Sequence, residues 1–497
     1  MNQASSSSAS RTDTIHAGDV QGDRADFPIR AGSLGEDDGY RGIRICIWTY
    51  FWLLMTEGAL RKWFLPGLAN ALLVVKDPVV LVAYFIALRQ GRYPKNSFVT
   101  WITVLGVVTF AFSTVAFSAG FTNSNFLVTL YGFRTNFLHL PLIFLMADAL
   151  RHEDLKKIGK WLLIISVPMG LLVLAQFRAP PDALVNVGVG KSEGGQMLAG
   201  VGIGDIQKVR AAGAFSFNTG LATYLSLSAA FLAAHFLKGK MYPKALVLIA
   251  SFAVTGSAAL SASRTTTLSI ALVGMAGMLC VWVHPRFLRG SFGMMAMVLL
   301  VYLVFAQSRT ISEGVWVLGE RFESADGLKV GILDRTLTGF TEAFETLEKH
   351  GFFGKGLGVG TNVAAGLLTG ARDFLIAESE WPRVVGEVGP VFGLAYILLR
   401  ILLVYYLFKK AMLALRRGEP LSMLLFSVCA TLLLNGPLGV AATLGFTAFG
   451  AGLSLAAAKE EPDMDGALLL MRLEEPDVPK QRGRSRYAEQ LHSGKSN

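Results

Sequence analysis

The feature that most constrains this chain is a series of apolar runs, each about 20 residues long, the length at which a helix crosses the hydrocarbon core of a membrane. Of the 497 residues, 52% are hydrophobic and only 16% are charged, whereas a soluble domain carries about 25% charged residues. A soluble chain of this length would form two or three cores with polar surfaces. The composition excludes a disordered protein, argues against an ordinary soluble enzyme and predicts an all-α polytopic membrane protein.

Twelve apolar ranges are predicted to span the membrane. They are 43–59, 68–88, 98–118, 125–147, 158–177, 214–236, 243–262, 266–284, 291–307, 385–407, 420–435 and 438–457. The second range contains Lys76, Asp77 and Pro78, a charged and kinked interruption. The two six-span halves do not resemble each other, which argues against a transporter built from duplicated halves.

The segments outside the spans divide the chain further. Residues 1–40 and 459–497 are polar and are predicted to be disordered tails, which leaves 41–458 as the membrane domain. A loop over 308–384 separates spans nine and ten, and loops of such length are usually functional. Within it, Thr338–Lys349 is predicted to form an amphipathic helix along the membrane surface.

Charge in the short loops predicts the orientation of the chain. Five alternating loops, counted with their flanking helix ends, hold 16 basic and four acidic residues. They are 89–97, 148–157, 237–244, 285–290 and 408–419. By the positive-inside rule these loops and both termini are cytoplasmic, so 178–213 and 308–384 face outward. The formal net charge of +10 then follows from membrane topology and does not indicate a nucleic-acid partner.

On this topology, four segments bring basic groups to the outer face. They carry Arg210, Arg264, Arg335 and the pair Arg61 and Lys62. A guanidinium group stays charged and binds phosphate oxygens bidentately, so the pattern indicates an anion site. The alternative for Arg210 and Arg264 is that each caps a helix end or reaches lipid headgroups.

The remaining charged candidates lie within or beside spans. Arg134 is within a span and must be paired or face a cavity. Three carboxylates, Glu378, Glu380 and Glu387, lie at the outer start of span ten, where a desolvated carboxylate can serve as a general base. Glu380 is expected instead to pair with Arg383 on a helix surface, and Glu387 is expected to be structural.

Other sequence patterns predict no further chemistry. The stretch Gly354–Gly360 lacks the Gly-Lys-Ser/Thr of a phosphate-binding loop and is predicted to be a flexible turn. The three cysteines are far apart with no Cys/His ligand spacing, so neither a metal nor another cofactor is expected. His139 and His350 are isolated and are assigned no role.

Several short motifs occur in a recognisable order. Arg210–Phe215 reads Arg-Ala-Ala-Gly-Ala-Phe before an apolar span, and Ser263 and Arg264 form a turn. Arg335 and an amphipathic segment precede Gly351–Gly358, and the region ends with the Glu-Val-Gly that begins at Glu387. These motifs resemble those of the O-antigen ligase and O-antigen polymerase superfamily of bacterial inner-membrane proteins. The likeness covers roughly residues 200–400.

That resemblance implies a C-type membrane fold and a metal-independent glycosyltransferase. Such an enzyme takes a glycan from an undecaprenyl-diphosphate carrier at the outer face and transfers it to a hydroxyl of a glycan or lipid acceptor. It implies diphosphate binding by the three arginines at 210, 264 and 335, with Lys62, Arg61 and Arg134 as supporting positions. The family's histidine base corresponds to Glu378, nine residues before Glu387. The replacement favours an exopolysaccharide-type polymerase or a divergent branch.

Two other functions stay open at this point. A transporter or flippase for lipid-linked glycan needs charged residues along the middle of the membrane, and four qualify, namely Lys76, Asp77, Arg134 and Arg400. A non-catalytic assembly partner that kept the fold and lost the base is the third interpretation.

Overall fold

Helices make up almost all of the regular structure in the computed structural model of the chain. The structure describes residues 39–122, 124–188, 200–203, 206–239, 241–323, 341–342, 354–369, 376–377 and 379–460. From Gly42 onward these residues belong to one compact unit. Two four-residue strands, β1 (Gly200–Ile203) and β2 (Ile206–Val209), form an antiparallel hairpin that the sequence analysis did not predict.

Fifteen α-helices occur within the described ranges. They are α1 (Arg41–Ala59), α2 (Asp77–Arg89), α3 (Ser97–Ser118), α4 (Phe126–Phe133), α5 (Leu140–Ala149), α6 (His152–Arg178), α7 (Asn218–Lys238), α8 (Lys244–Leu260), α9 (Arg264–Val283), α10 (Leu288–Phe305), α11 (Arg309–Glu323), α12 (Asn362–Thr369), α13 (Glu380–Arg416), α14 (Pro420–Asn435) and α15 (Ala441–Ala457). Two π-helical turns, Leu60–Phe64 and Arg134–Leu138, follow α1 and α4.

Seven helical stretches in the described part of the chain are long and apolar enough to cross a membrane. They are Ala71–Arg89, Ser97–Ser118, His152–Arg178, Asn218–Lys238, Arg264–Val283, Pro285–Phe305 and Glu380–Arg416. Three shorter apolar helices, α8, α14 and α15, pack among them. The protein is therefore a helical membrane protein. A helix lies over each of the twelve predicted ranges, and the crossing of the membrane by all twelve stays a prediction.

Capping side chains explain where several helices begin. Asn96 and Asn125 each accept a hydrogen bond at 2.9 Å from the backbone N–H three residues later, which satisfies a donor that the first turn of a helix leaves free. Ser263 does the same for Thr266 at 3.4 Å, so α9 begins at Arg264. At the other end of α7, Gly239 has a φ of 80°, the conformation that ends a helix most readily at glycine.

The helix ends gather at two opposite ends of the bundle. At one, which we call the basic end, Lys238 at the end of α7 pairs with Glu419 after α13 at 2.6 Å. Lys459 after α15 donates to the carbonyl oxygen of Asp148 in α5 at 3.0 Å. The C-terminal end of α9 is also there, because His284 contacts the carbonyl of residue 416. The neighbouring helices α7 and α9 both begin at the opposite end, called the arginine end below.

The predicted long loop contains helices that the sequence analysis did not identify. Helix α11 follows α10 closely and crosses the end of α8, where a Cβ on Gly314 would lie 3.1 Å from the carbonyl oxygen of Ala259. Its Trp316 is 47% exposed, as expected for a helix with one apolar face toward lipid. Of the predicted surface helix Thr338–Lys349, only residues 341 and 342 are described, and they are helical.

Candidate functional site

Arg210 and Arg264 come together at the arginine end. Arg210 follows strand β2 and precedes α7, while Arg264 is the first residue of α9. Both side chains are partly exposed, and neither has an ion pair or hydrogen bond with another described residue. Burial, and then the neighbouring Arg264 guanidinium, lowers the pKa of Arg210. Two guanidinium groups that repel each other, one of them at the positive end of α9, form an arrangement that favours an anion.

A clamped turn determines where Arg210 lies. Gln176, in α6, accepts a hydrogen bond from the backbone N–H of Gly213 at 2.8 Å and donates to its carbonyl oxygen at 3.1 Å. Gly213 has a φ of 56°, a conformation that favours glycine. Gly58 of α1 packs so closely on the same turn that a Cβ there would overlap Ala214. Gln176 was not predicted to have a role. It is a single amide within an apolar helix, and a polar side chain inside a membrane span often indicates a structural or functional contact.

Lys62 supports this turn from the other side. Its Nζ donates to the carbonyl oxygens of Gly213 at 2.7 Å and Phe215 at 2.9 Å, and the side chain is 3% exposed. Burial lowers the pKa of Lys62 to about 7. The neutral amine has two N–H bonds, so either protonation state can donate to both carbonyls. Lys62 therefore positions the segment that carries Arg210.

Arg61 has a similar structural role. Its Nε donates to the carbonyl oxygen of Ala69 at 2.9 Å, and its Nη1 contacts Ser216 at 3.1 Å and Glu57 at 3.3 Å. Both Arg61 and Lys62 lie on the π-helical turn after α1, and such turns are frequent at functional sites. The segment with Arg61 and Lys62 does lie close to the segment that carries Arg210, as predicted. Its two basic side chains, however, are buried and contact residues 213–216 instead of reaching the arginine pair.

The turn before Arg264 is strained. Ala262 has a φ of 45° and is fully buried; within the described ranges it is the only non-glycine residue with positive φ. A non-glycine residue in this region costs about 1–3 kcal/mol, and such strain tends to occur at functional positions. It places Arg264 at the start of α9, where its backbone is held by the Ser263 cap.

Arg134 belongs to a separate buried ion cluster. Its Nε pairs with Asp77, and its Nη2 donates to the carbonyl oxygen of Leu73 at 2.7 Å. Asp77 also contacts His139 at 2.9 Å, and His139 contacts the Tyr50 hydroxyl at 2.9 Å. His139 is thus a member of a buried hydrogen-bond network and is not isolated, contrary to the expectation from its position in the sequence. Arg134 is 6% exposed. It is paired, so the first of the two predicted alternatives applies.

Lys76 and Arg400 are also buried and paired. Lys76 pairs with Glu57 and donates to the carbonyl oxygen of Ala441 at 3.2 Å. Arg400 pairs with Glu380 at 2.7 Å and donates to carbonyl oxygens at the end of α14. The exposed fractions of the two basic side chains are 1% and 0%. Each charge that could have lined a path through the membrane is therefore in an ion pair inside the protein.

Glu380 and Arg383 pair at 2.9 Å, as predicted, but they are buried and not on a helix surface. Arg383 also contacts Glu387 at 2.6 Å and the Asn136 side chain at 3.0 Å. Burial follows because this first part of α13 is enclosed by the turn before α15 and by the π-helical turn after α4. The helix is broken immediately afterwards at Gly389, whose φ is 76°.

The Gly354–Gly360 stretch is an ordered and mostly buried turn, which corrects the flexible turn expected from sequence. The backbone N–H groups of Lys355 and Gly356 donate at 2.8 Å to the carbonyl oxygens of Gly386 and Glu387. Gly358 has a φ of 90° and packs against Gly132 of α4 so closely that a Cβ would overlap the α4 backbone. The glycines allow this backbone approach, and the N–H groups of Gly356 and Gly360 both donate to Glu387.

Two predicted site residues, Arg335 and Glu378, lie outside the described residues. Of the remaining ones, Arg210 and Arg264 are together, Arg61 and Lys62 lie behind them, and Arg134 is in another cluster. Within the described ranges, no group of three or more His, Cys, Asp or Glu side chains could hold a metal ion. A cavity of about 350 Å³ lies at the basic end and does not include the arginine pair.

No protein-family model matches this sequence, and no curated protein matches it at a significant level.

Proposed function

We propose that this protein is a membrane glycosyltransferase that transfers or polymerises undecaprenyl-diphosphate-linked glycan in exopolysaccharide or O-antigen synthesis. The observation that carries the proposal is the Arg210–Arg264 pair, two like charges with no described counter-charge. A diphosphate supplies the negative charge that such a pair lacks, and guanidinium groups match its oxygens bidentately.

The chemistry follows from the leaving group. A diphosphate leaves readily when its developing negative charge is stabilised by fixed donors that need no rearrangement. Arg210 is fixed through the clamped Gly213 turn, and Arg264 through the strained turn at Ala262. The acceptor hydroxyl needs a base on the opposite side of the anomeric carbon, and Glu378 is the proposed base. Arg335 is proposed as a third diphosphate ligand, and no metal or other cofactor takes part.

The proposed setting is a bacterial inner membrane. All twelve helical ranges cross it, both termini are cytoplasmic, and the arginine end faces the periplasm. The charge of the short loops supports this orientation, as does the meeting of the lysine- and arginine-bearing helix ends at the basic end. The proposed family is the O-antigen ligase and polymerase superfamily, on the motifs around Arg210, Arg264 and Glu387.

Transport of a lipid-linked glycan is the second candidate, and the described structure disfavours it. The four charged residues expected to line a path, Lys76, Asp77, Arg134 and Arg400, are all buried in ion pairs. A mobile pore would need some of these pairs to open, at a cost of several kcal/mol each for leaving a buried charge unpaired.

The test is polymer formation in cells whose own copy of the gene is replaced. Arg264→Ala should lower surface polysaccharide by about 100-fold or more while the membrane level of the protein stays normal. Arg178→Ala is the matched control, because Arg178 is an exposed arginine at the same end and contacts Thr310 at 3.0 Å. Near-normal polymer in a normally expressed Arg264→Ala strain would overturn the proposal.

A further inference from the structure

The cavity at the basic end has an aromatic floor. It lies where α3 begins and where α5, α13 and α15 end. The rings of Phe144 and Tyr406 line it, with centroids 6.2 Å apart, and Phe98 packs on Tyr406 at 5.0 Å. An apolar floor of this kind suits the glycerol and first acyl carbons of an amphiphile better than a hydrated ion.

The rim of the cavity is basic. Lys410, Arg417 and Lys459 line it together with Asp148 and Glu460, so the rim has a net charge of 3 − 2 = +1. Lys410 is exposed, lies 5.7 Å from the centroid of the Tyr406 ring and forms no ion pair with a described residue. Its ammonium group is therefore available to a ligand.

The acidic rim residues leave the other two basic groups accessible. Lys459 contacts the backbone carbonyl oxygen of Asp148, at 3.0 Å. Arg417 pairs with Glu460 at 2.7 Å, but the Glu460 side chain is 75% exposed. Nη2 of Arg417 donates to the carbonyl oxygen of Ala458, and Nη1 holds the carboxylate. An exposed ion pair contributes about 0–1 kcal/mol, so a phosphate oxygen can displace this carboxylate at Nη1.

We propose that this cavity binds the headgroup of an anionic phospholipid, with its phosphate on Lys410, Arg417 and Lys459 and its glycerol over Tyr406 and Phe144. Basic pockets between helices at a membrane surface are suited to such headgroups. The site is independent of the proposed glycosyl transfer, because it lies at the opposite end of the bundle from Arg210 and Arg264.

Native mass spectrometry of the full-length protein, released from detergent, tests this proposal. We expect the first dioleoyl phosphatidylglycerol to bind with clear preference over dioleoyl phosphatidylcholine. The combined variant Lys410→Gln, Arg417→Gln and Lys459→Gln should weaken that binding by about tenfold or more, since each basic group near anionic lipid contributes separately. Lys410→Gln alone, at an exposed and unpaired position, should weaken it by about threefold and keeps the test valid if the combined variant misfolds.

The matched control changes the same amount of charge elsewhere. Lys156→Gln, Lys157→Gln and Lys160→Gln together remove three exposed lysines from the start of α6 and should leave the first binding event unchanged within about twofold. If this control weakened lipid binding as much as the cavity variant does, net charge alone would attract the lipid. That result would contradict a specific binding site in the cavity. Displacement of the lipid by soluble glycerol 1-phosphate would overturn the phospholipid assignment in favour of a soluble phosphate ester.

Discussion

Arg383 donates from Nη1 to Oε1 of Glu387 over 2.6 Å, one helical turn along α13, and both side chains are buried. With Glu380 and Arg400 they form a group of two negative and two positive charges. Glu387 also accepts the backbone N–H of Gly360 at 3.0 Å, so the charge group joins α13 to the glycine turn. A buried network of this kind is neutral only while it is complete.

Glu387→Gln is therefore expected to destabilise the protein by about 3–5 kcal/mol, because Arg383 and Arg400 then share the single carboxylate of Glu380 and one buried positive charge is uncompensated. The measurement is the midpoint of thermal unfolding of the purified protein in detergent. Arg383→Gln should also lower it, since Glu380 and Glu387 then lose a shared cation.

The double variant Glu387→Gln with Arg383→Gln is the informative comparison, because it restores neutrality. Its loss of stability should be smaller than the sum of the two single losses, as for directly coupled residues. Strict additivity would show that the two side chains do not act as a pair.

Gly358→Ala should displace the glycine turn from α4. A Cβ would overlap the backbone there, and the φ of 90° is unfavourable for alanine, so a loss of about 2–5 kcal/mol is expected. Gly366→Ala, in α12 with no atom within 4 Å of a new Cβ, should be neutral or slightly stabilising. Limited proteolysis and thermal unfolding measure both, and equal behaviour of the two variants would contradict the close contact.

Sequence patterns predicted the helices well because a membrane helix must satisfy its own backbone hydrogen bonds and present apolar side chains. They also identified Arg210 and Arg264 as candidates for an anion site, because a charged residue at the end of an apolar run is easy to recognise in a sequence. The partners of buried charges could not be predicted in the same way. The contacts of Asp77 with Arg134 and His139, and of Arg383 with Asn136, join residues from 57 to 247 positions apart. Only the packing of the helices decides which of them meet.

Pyrophosphate should stabilise the protein through the arginine pair even without a glycan. Saturating pyrophosphate is expected to raise the unfolding midpoint, because a ligand that binds only the folded state stabilises it. Arg210→Gln and Arg264→Gln should each reduce this shift by at least half, whereas Arg178→Gln should keep it. An undiminished shift in both pair variants would place the anion elsewhere.

Lys62 should make stability depend on pH. Its folded-state pKa of about 7 lies below the ordinary value of 10.5, so between these values the unfolded chain binds the proton more strongly and stability rises with pH. Below about pH 7 both states hold the proton and the unfavourable contribution is constant. The unfolding midpoint of the wild type relative to Lys62→Met should therefore increase from about pH 6.5 to about pH 9. A difference that does not change with pH, as expected for an exposed-site control such as Lys156→Met, would contradict the burial of this charge.

The repulsion between Arg210 and Arg264 has a consequence for how the protein can evolve. Two like charges kept together without a described partner lower the stability of the empty protein, so loss of either one should make the ligand-free form more robust. Random mutation selected for thermostability alone would then tend to remove these two residues first. A pair of like charges without a described counter-charge is therefore expected where binding, rather than folding, requires both residues.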